Sequence, residues 1–593
     1  MNSVSVTGKK WILKKFDMQD VKFIKDNFFL DEVTSKLLSI KSIKRSSIKN
    51  FLNPTIKNIL PNPNILKDME KSTKRTIKAI LKNEKIGILG DYDVDGATST
   101  ALLGQYLTLI NRSFEIFIPD RRTEGYGPSI KGFDSLIEKG AEIIFTVDCG
   151  TLSFEPINYA KNKNIDVIVL DHHQSEVRLP NAFSIINPNQ LSDTSNLNYL
   201  CAAGVCFMFL ISLNRELRSM NWFKNNNIDE PNLIDFLDLV SLGTICDVVP
   251  LVDLNRAIVK QGLKVLKTKK NLGLKTLLDI CKIETEPTPY HLGFKLGPRI
   301  NAGGRVGKCS HGANLLLNNN AANAFKLAVE LENYNNERQE IEKEALQRVL
   351  KKIKNISEPV LILSDENLHE GIIGIVASRI KEKYNKPTII ISTTGDLSKG
   401  SARSIFGFDI GSVIIGAVQN GILIKGGGHK MAGGFTIHTN KIKEFNKFAN
   451  DRFRKLKIDL AEEKKIFIDS VIASTAINIE FYNKVNNLAP FGSGNSEPKF
   501  IIEDLKPINS IIVGKNHIKS ILLSKNGSTI KTIAFNATEN DLGAYLLAKN
   551  NKSFDIAGKL SLNEWKGKKN VEFIIDDISV NKKLKNTVPS SIG

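Results

Sequence analysis

The chain has 593 residues, with 82 Lys and Arg against 63 Asp and Glu, a formal net charge of +19 and 41% hydrophobic residues. At about 150 residues per domain that length is too great for one core and implies several units. No apolar stretch approaches the roughly 18–20 residues of a membrane helix, and the basic start MNSVSVTGKKWILKKFDMQD lacks the apolar run of an export signal, so the expected location is cytoplasmic with no membrane partner. The positive charge suits a polyanion, although a chain rich in Lys, Asn and Ile has a basic surface in any case. Six scattered cysteines with no CxxC spacing predict reduced, mostly buried thiols rather than a zinc ribbon or a disulfide framework.

In chain order, residues 85–91 (KIGILGD), 141–148 (AEIIFTVD) and 165–171 (IDVIVLD) are short, nearly continuous apolar runs, each ending in an acid. Helix-like stretches separate them, which predicts a parallel α/β sheet buried on both faces. In such sheets ligands bind beyond the carboxyl ends of the strands, where each of these acids stands. From about Asn320 to Lys352 a polar, Glu/Lys-rich stretch without Gly or Pro predicts a long helix joining two domains. PVLILSD (359–365) and KPTIIIS (386–392) begin a second α/β unit, which ends in the glycine cluster KGGGHKMAGGFTI (425–437). Beyond about Asp459, short alternating segments punctuated by Gly and Asn predict a small all-β barrel or sandwich.

Four acid-bearing motifs carry chemistry. In GDYDVDGATST (90–100) Asp91, Asp93 and Asp95 are expected to alternate along an extended segment with their carboxylates on one side, Gly96 turning the chain into a helix. Three such charges repel unless a cation holds them ionised. An Asp-rich turn or calcium loop would also use them, but the twelfth position counted from Asp91 is Leu102, where an EF-hand needs Glu. Asp148 ends a strand in FTVDCGT, an Asp-His-His run closes VIVLDHH with His172 and His173, and Asp247 interrupts the apolar DLVSLGTICDVVPL. Each alone could be a cap or turn residue. Together they suit two hard cations, Mg2+ or Mn2+, that share carboxylates, activate water and steady a phosphoryl group.

GDYDVDG, TVDCG, LDHH and ICDVVPL resemble the ordered motifs of the DHH phosphoesterase superfamily. PDRRTEGYGPS, LGPRINAGGRVG, HEGIIGIVASRI, KGSARSI, GGGHKMAGG and LAPFGSGNSEPKF are similar to blocks of the bacterial RecJ single-strand-specific exonucleases, a likeness that runs from about residue 70 to 580. Lys308 after GGRVG, and Ser496 in NSEP, depart from the usual pattern without touching the acid set. The resemblance implies an N-terminal extension and DHH domain over 1–318, a connecting helix over 319–354, a DHHA1 α/β domain over 355–458, an OB-like barrel over 459–582 and a tail over 583–593. It implies Asp93, Asp95, Asp148, His172 and Asp247 as metal ligands. Asp91 and His173 would be catalytic, Asp91 as a ligand or as a partner supporting the ligands, His173 as a ligand or as a group that positions water. Arg121, Ser401, Arg403, Gly427, Gly428 and His429 would contact the 5′-phosphate and the strand, Arg122 being a weaker candidate.

The activity so implied is 5′→3′ hydrolysis of single-stranded DNA with two Mn2+ or Mg2+ ions, in DNA repair and recombination, beside a helicase and a single-strand-binding protein. Two alternatives stand against it. A DHH enzyme acting on cyclic dinucleotides or very short oligonucleotides would generally lack the barrel, and a silent DNA-binding scaffold would have lost acids that are present here.

Overall fold

The computed structural model describes residues 5–121, 123–353, 357–456, 464–548, 553–565 and 567–580. Arg122, the tail over 583–593 and the expected domain boundary near 459 lie outside the described residues. Contacts divide the chain into two units, one drawn from Met1–Leu60, Pro250–Lys260 and Glu463–Gly593, the other from Pro61–Val249 and Gln261–Glu462.

The chain opens with β1 (Lys9–Leu13), a strand of the first unit. In the second unit β2 (Ile86–Gly90), β3 (Phe114–Phe117), β4 (Ile143–Val147), β5 (Asp166–Leu170) and β6 (Ser184–Ile186) form an all-parallel sheet in the order β3-β2-β4-β5-β6. Every residue of β2 and β4 is buried, as continuous apolar runs covered by helices on both faces require. The connection from β2 goes to one neighbour and the next strand returns to the other side, so the order reverses between β2 and β4. Open sheets place ligands at that switch point, and Asp91 and Asp148 each stand one residue beyond it. The helix Val94–Leu109, apolar nearly all round, is buried through most of its length.

The connecting helix runs Ala321–Lys352, with Asn320 accepting from Asn323 N as its cap. It buries a stripe of Ala324, Ala328, Leu331, Ala345 and Val349, interrupted by two buried polar residues, Asn335 and Glu342. Arg338 bonds both, and Arg379 on the helix Ile373–Tyr384 also reaches Glu342, so this helix is held to the following domain by charge-assisted bonds. That domain has β7 (Leu361–Asp365), β8 (Thr388–Thr394), β9 (Leu397–Arg403), β10 (Lys425–His429) and β11 (Ala432–His438) in the order β10-β11-β9-β8-β7. Only β7 and β8 pair in parallel there, which makes the sheet mixed.

In the first unit β12 (Lys464–Ile468) pairs in parallel with β1. A six-stranded sheet follows from β13 (Ser470–Val471), β14 (Phe500–Val513), β15 (His517–Ser524), β16 (Thr529–Ala534), β17 (Phe554–Trp565) and β18 (Lys568–Ser579). Pairing of β14 with β17 closes it into the expected barrel. The expected 1–318 domain differs from what the contacts show, because the chain through Leu60 and again Pro250–Lys260 group with this barrel. Two buried sets of bonds account for that grouping. Trp11 Nε1 donates to Asp577 Oδ2 at 2.8 Å, and Arg256, 1% exposed, donates to the carbonyls of Phe51, Leu488, Ala489 and Pro490 while lying 3.8 Å over the Phe51 ring. A guanidinium so deep would be prohibitive without those acceptors.

Candidate active site

Asp91 follows β2 directly, but the extended alternation expected for Asp91, Asp93 and Asp95 is not what forms. Asp93 is the N-cap of Val94–Leu109, accepting from Asp95 N at 2.9 Å and Gly96 N at 3.1 Å, and Asp95 lies in the first helical turn. Spacing of i, i+2 reads alike in a strand and across a helix start, and the cap decides for the helix. Gly96 serves close approach rather than a turn, since a Cβ there would stand 2.4 Å from the Asp91 carbonyl oxygen. Asp95 accepts from Ala202 N at 2.6 Å and Ala203 N at 3.0 Å, the first amides of the helix Ala202–Ser219, whose positive end favours an anion. Asp148 and Val248 hold positive φ of 59° and 61°, conformations costly for a β-branched residue and characteristic of sites where geometry is imposed. Asp247 caps the end of the helix Leu237–Cys246 just before Val248.

These elements bring Asp91, Asp93, Asp95, Asp148, His172, His173 and Asp247 together. Three overlapping groups have ligand atoms within 4.8 Å of one another: Asp148, His172 and His173; Asp95, His172 and Asp247; Asp91, Asp93 and Asp148. His172 Nε2 lies 3.4 Å from Asp148 Oδ1, 3.6 Å from Asp247 Oδ2 and 3.8 Å from Asp95 Oδ2. Burial first, then neighbouring carboxylates, push Asp91 and Asp148 well above the usual carboxylate range and Asp247 up to about 8. Asp91 Oδ1, Asp148 Oδ1 and His172 Nε2 are buried without a hydrogen-bond partner. Orphaned acceptors among mutually repelling carboxylates are what divalent cations satisfy, and the mixed carboxylate and imidazole donors fit Mn2+ or Mg2+. Asp148 and His172 each belong to two of the groups, so two neighbouring cation positions could share them.

Asp171, left without a role in the sequence reading, is buried and organises the pair of histidines. It accepts from Thr151 N at 3.0 Å, His172 N at 2.7 Å, His173 N at 3.2 Å and His173 Nδ1 at 2.8 Å. Burial would raise its pKa, but the bond and charge of His173 hold it below the usual range. Burial likewise opposes the charge on His173, yet the Asp171 bond and charge prevail and raise it to about 9. Tyr126 donates to the Asp148 carbonyl at 3.0 Å and lies 3.1 Å from His173 Nε2. Its only sequence signal was its place inside PDRRTEGYGPS.

The expected phosphate contacts divide into two sets. Arg403, half-buried, donates to Ser401 Oγ at 3.2 Å and the Ala402 carbonyl at 2.8 Å. Arg121 lies 5.4 Å over the Tyr92 ring, and its charge acts on both Arg403 and Asp91. Arg305, inside LGPRINAGGRVG but not among the expected contacts, joins them: burial first, then Arg121, Arg338 and Arg403, lower its pKa to about 10, and it donates to the Gly371 carbonyl at 3.0 Å. Three guanidiniums that repel one another stand near the acid cluster, and an anion among them would relieve that repulsion. Gly427, Gly428 and His429 lie instead on β10, an edge strand, with His429 exposed. Gly428 at φ 153° packs against the Ala432 carbonyl, and a Cβ on Gly427 would meet nothing, so that backbone is open to a ligand. On the barrel, exposed Phe535 packs edge-on against His517 at 5.2 Å. All six cysteines are free, three of them buried and three half-buried. No helix among the described residues is long and apolar enough to cross a membrane.

A carboxylate and imidazole centre at the switch point of a parallel sheet, joined by a long helix to a mixed-sheet domain, is the arrangement of the DHH phosphoesterases. Residues 85–244 match the DHH family N-terminal domain, 355–455 the DHHA1 domain and 468–577 the RecJ OB domain. The single-stranded-DNA-specific exonuclease RecJ of Haemophilus influenzae is 34% identical over 545 residues, 89% of this chain and 93% of that protein. The chain belongs to the RecJ family. The crystal structure of RecJ from Thermus thermophilus in complex with Mn2+ shares its fold, with a TM-score of 0.80 at 24% identity over 97% of this chain and 80% of that one. A structure of exonuclease RecJ bound to manganese aligns at 29% identity and a TM-score of 0.57, over 68% of this chain and 99% of the other.

Proposed function

We propose that this chain is a 5′→3′ exonuclease on single-stranded DNA that requires two divalent cations, Mn2+ or Mg2+. The observation that carries the reading is the Arg121, Arg305 and Arg403 cluster beside the carboxylate and histidine centre, within one unit of the chain. Asp93, Asp95, Asp148, His172 and Asp247 would hold the cations, with Asp91 and His173 as further ligands or as partners of the attacking water. Such ions supply a nucleophile at neutral pH and charge stabilisation for the phosphoryl group. Asp171 fixes the orientation and proton of His173, and Tyr126 braces the Asp148 backbone from the other side. Arg121 and Arg403 grip a terminal 5′-phosphate, whose extra charge distinguishes it from an internal phosphodiester, while Ser401 orients Arg403. Gly427, Gly428 and His429 offer open backbone and an imidazole to the strand. On the barrel, Phe535 and His517 serve as a stacking surface.

An enzyme that takes only single strands needs its substrate unwound, so a helicase and a single-strand-binding protein are the partners this reading names, in cytoplasmic DNA repair and recombination. The test is digestion of labelled single strands and the matching duplex with Mn2+, with Mg2+ and with chelator. Mononucleotides released from the 5′ end of the single strand alone, and only with metal, are the expected result. Digestion from 3′ ends, or turnover in chelator, would overturn the proposal.

A further inference from the structure

Two aromatic side chains outside the metal centre stack on each other in the open. Tyr290 and Phe294 have ring centroids 5.2 Å apart and 23° between planes, yet are 56% and 70% exposed. Aromatic rings this large ordinarily seek cover, and an exposed pair marks a contact surface. Phe294 stands in the middle of a π-helical turn, Leu292–Leu296, a wide and rare geometry frequent at functional sites. Beside it Lys295 is exposed and makes no ion pair among the described residues. An open aromatic face next to an unpaired cation suits an unstacked nucleobase on a phosphate backbone.

The placement of this turn is fixed. Cys246 Sγ donates to the Leu292 carbonyl at 3.5 Å, a Cβ on Gly293 would stand 3.3 Å from Ile245, and one on Gly297 would stand 2.5 Å from Cys246 Sγ. The turn is therefore fastened to the two residues that precede Asp247. Asp247 belongs to the group with Asp95 and His172, whereas Arg121 sits over Tyr92 beside the group with Asp91 and Asp93. The turn that carries the aromatic pair thus adjoins the Asp247 side of the centre, and Arg121 the Asp91 side.

We propose that Tyr290 and Phe294 are a base-stacking platform for the nucleotides on the 3′ side of the scissile phosphate, holding the incoming strand while Arg121 and Arg403 hold its 5′ end. This rests on the reading that the chain digests single strands from the 5′ end. Stacking tolerates every base, so the platform adds affinity without sequence preference.

The experiment measures binding of 5′-phosphorylated oligothymidylate in chelator, where nothing is hydrolysed. One series of strands carries 2-aminopurine, and another an abasic residue, at each of the second to sixth positions. For the wild type, 2-aminopurine emission should change at one or two adjacent positions, and an abasic residue there should weaken binding about 5- to 150-fold, the range of one base stack. In Tyr290→Ala/Phe294→Ala the emission change should vanish and the abasic and intact strands should bind alike, with Phe294→Trp restoring the difference. Both side chains are exposed, so the variants should melt with the wild type. Equal binding of the intact strand by wild type and double variant would overturn the platform and turn the pair over to a protein partner, as would an abasic penalty that persists in the variant. Digestion by the wild type in Mn2+ is read separately: its absence sinks the exonuclease reading, and its presence with no abasic effect sinks the platform alone.

Discussion

Replacing Asp171 by Asn tests whether the histidine pair is organised from behind. The carboxylate takes four donors, three of them from His172 and His173 at 2.7, 3.2 and 2.8 Å on one oxygen and Thr151 N at 3.0 Å on the other. An amide keeps the shape but only one acceptor, so its NH2 must face either the Thr151 amide or the histidine donors. A hydrogen bond to a charged group contributes about 1.5–3 kcal/mol, so losing one costs about 10- to 150-fold at about 1.4 kcal/mol per tenfold. Loss of a ligand's supporting partner typically lowers metal affinity by about 10- to 100-fold, which is the same range. The expected outcome is therefore a rise of one to two orders of magnitude in the Mn2+ concentration giving half-maximal cleavage. The His173 pKa, raised to about 9 by Asp171 in the structure, should fall with it. Calorimetric Mn2+ titration and kcat/KM at saturating Mn2+, both well below the melting temperature, separate weakened binding from lost catalysis. Unchanged Mn2+ affinity together with unchanged kcat/KM would refute the argument.

Asp148→Asn, chosen because Asn tolerates the positive φ at this position, should cut cleavage at least about 1,000-fold with the fold intact, since the variant loses a charge at the reacting phosphate; residual turnover above that would exclude Asp148 as a ligand. Arg403→Ala should remove most of the preference for 5′-phosphate over 5′-hydroxyl strands, and an unchanged rate ratio would place 5′-end recognition elsewhere. Asp238 is buried, and burial raises its pKa to about 7, above the ordinary 3.8. A folded-state pKa raised in this way makes stability full below about pH 4 and lost as pH climbs to about 7, by roughly 4 kcal/mol for about three units. Asp238→Asn should match the wild type in urea melts near pH 4 and exceed it at pH 8. Equal stability at pH 8 would show that Asp238 does not carry its proton into the neutral range.

Much of this site was legible because a parallel sheet buried on both faces leaves an unmistakable trace. The apolar runs ending at Asp91, Asp148 and Asp171 marked the strand ends, and strand ends are where open α/β sheets bind. The carboxylate at Asp95 was legible in identity and not in geometry, since alternation cannot distinguish a strand from the first turn of a capped helix. Asp171 stands beside two histidines that are the evident ligands of the triplet, and its own function depends on four donors that only the folded loop supplies. Arg305 and Tyr126 lay inside quoted motifs, but burial among other charges is a property of the assembled domains. The three-part composition of the barrel unit was illegible because nothing local in GKKWIL or NRAIV announces a partner hundreds of residues away.

That discontinuity sets an order of events during synthesis. β1 must wait for residues 464–468, a gap of 455 residues from Lys9 to Lys464, or about 20–90 s of translation at about 5–20 residues per second. Through that interval Trp11 has no Asp577 to bond, and Arg256 lacks three of its four carbonyls. Most of the metal-binding unit, ending at Glu462, has by then left the ribosome. A nascent chain therefore acquires the carboxylate and histidine centre and its arginine cluster before the barrel. Until the barrel arrives its leading strand has no partner, and an unpaired edge is open to pairing with another chain.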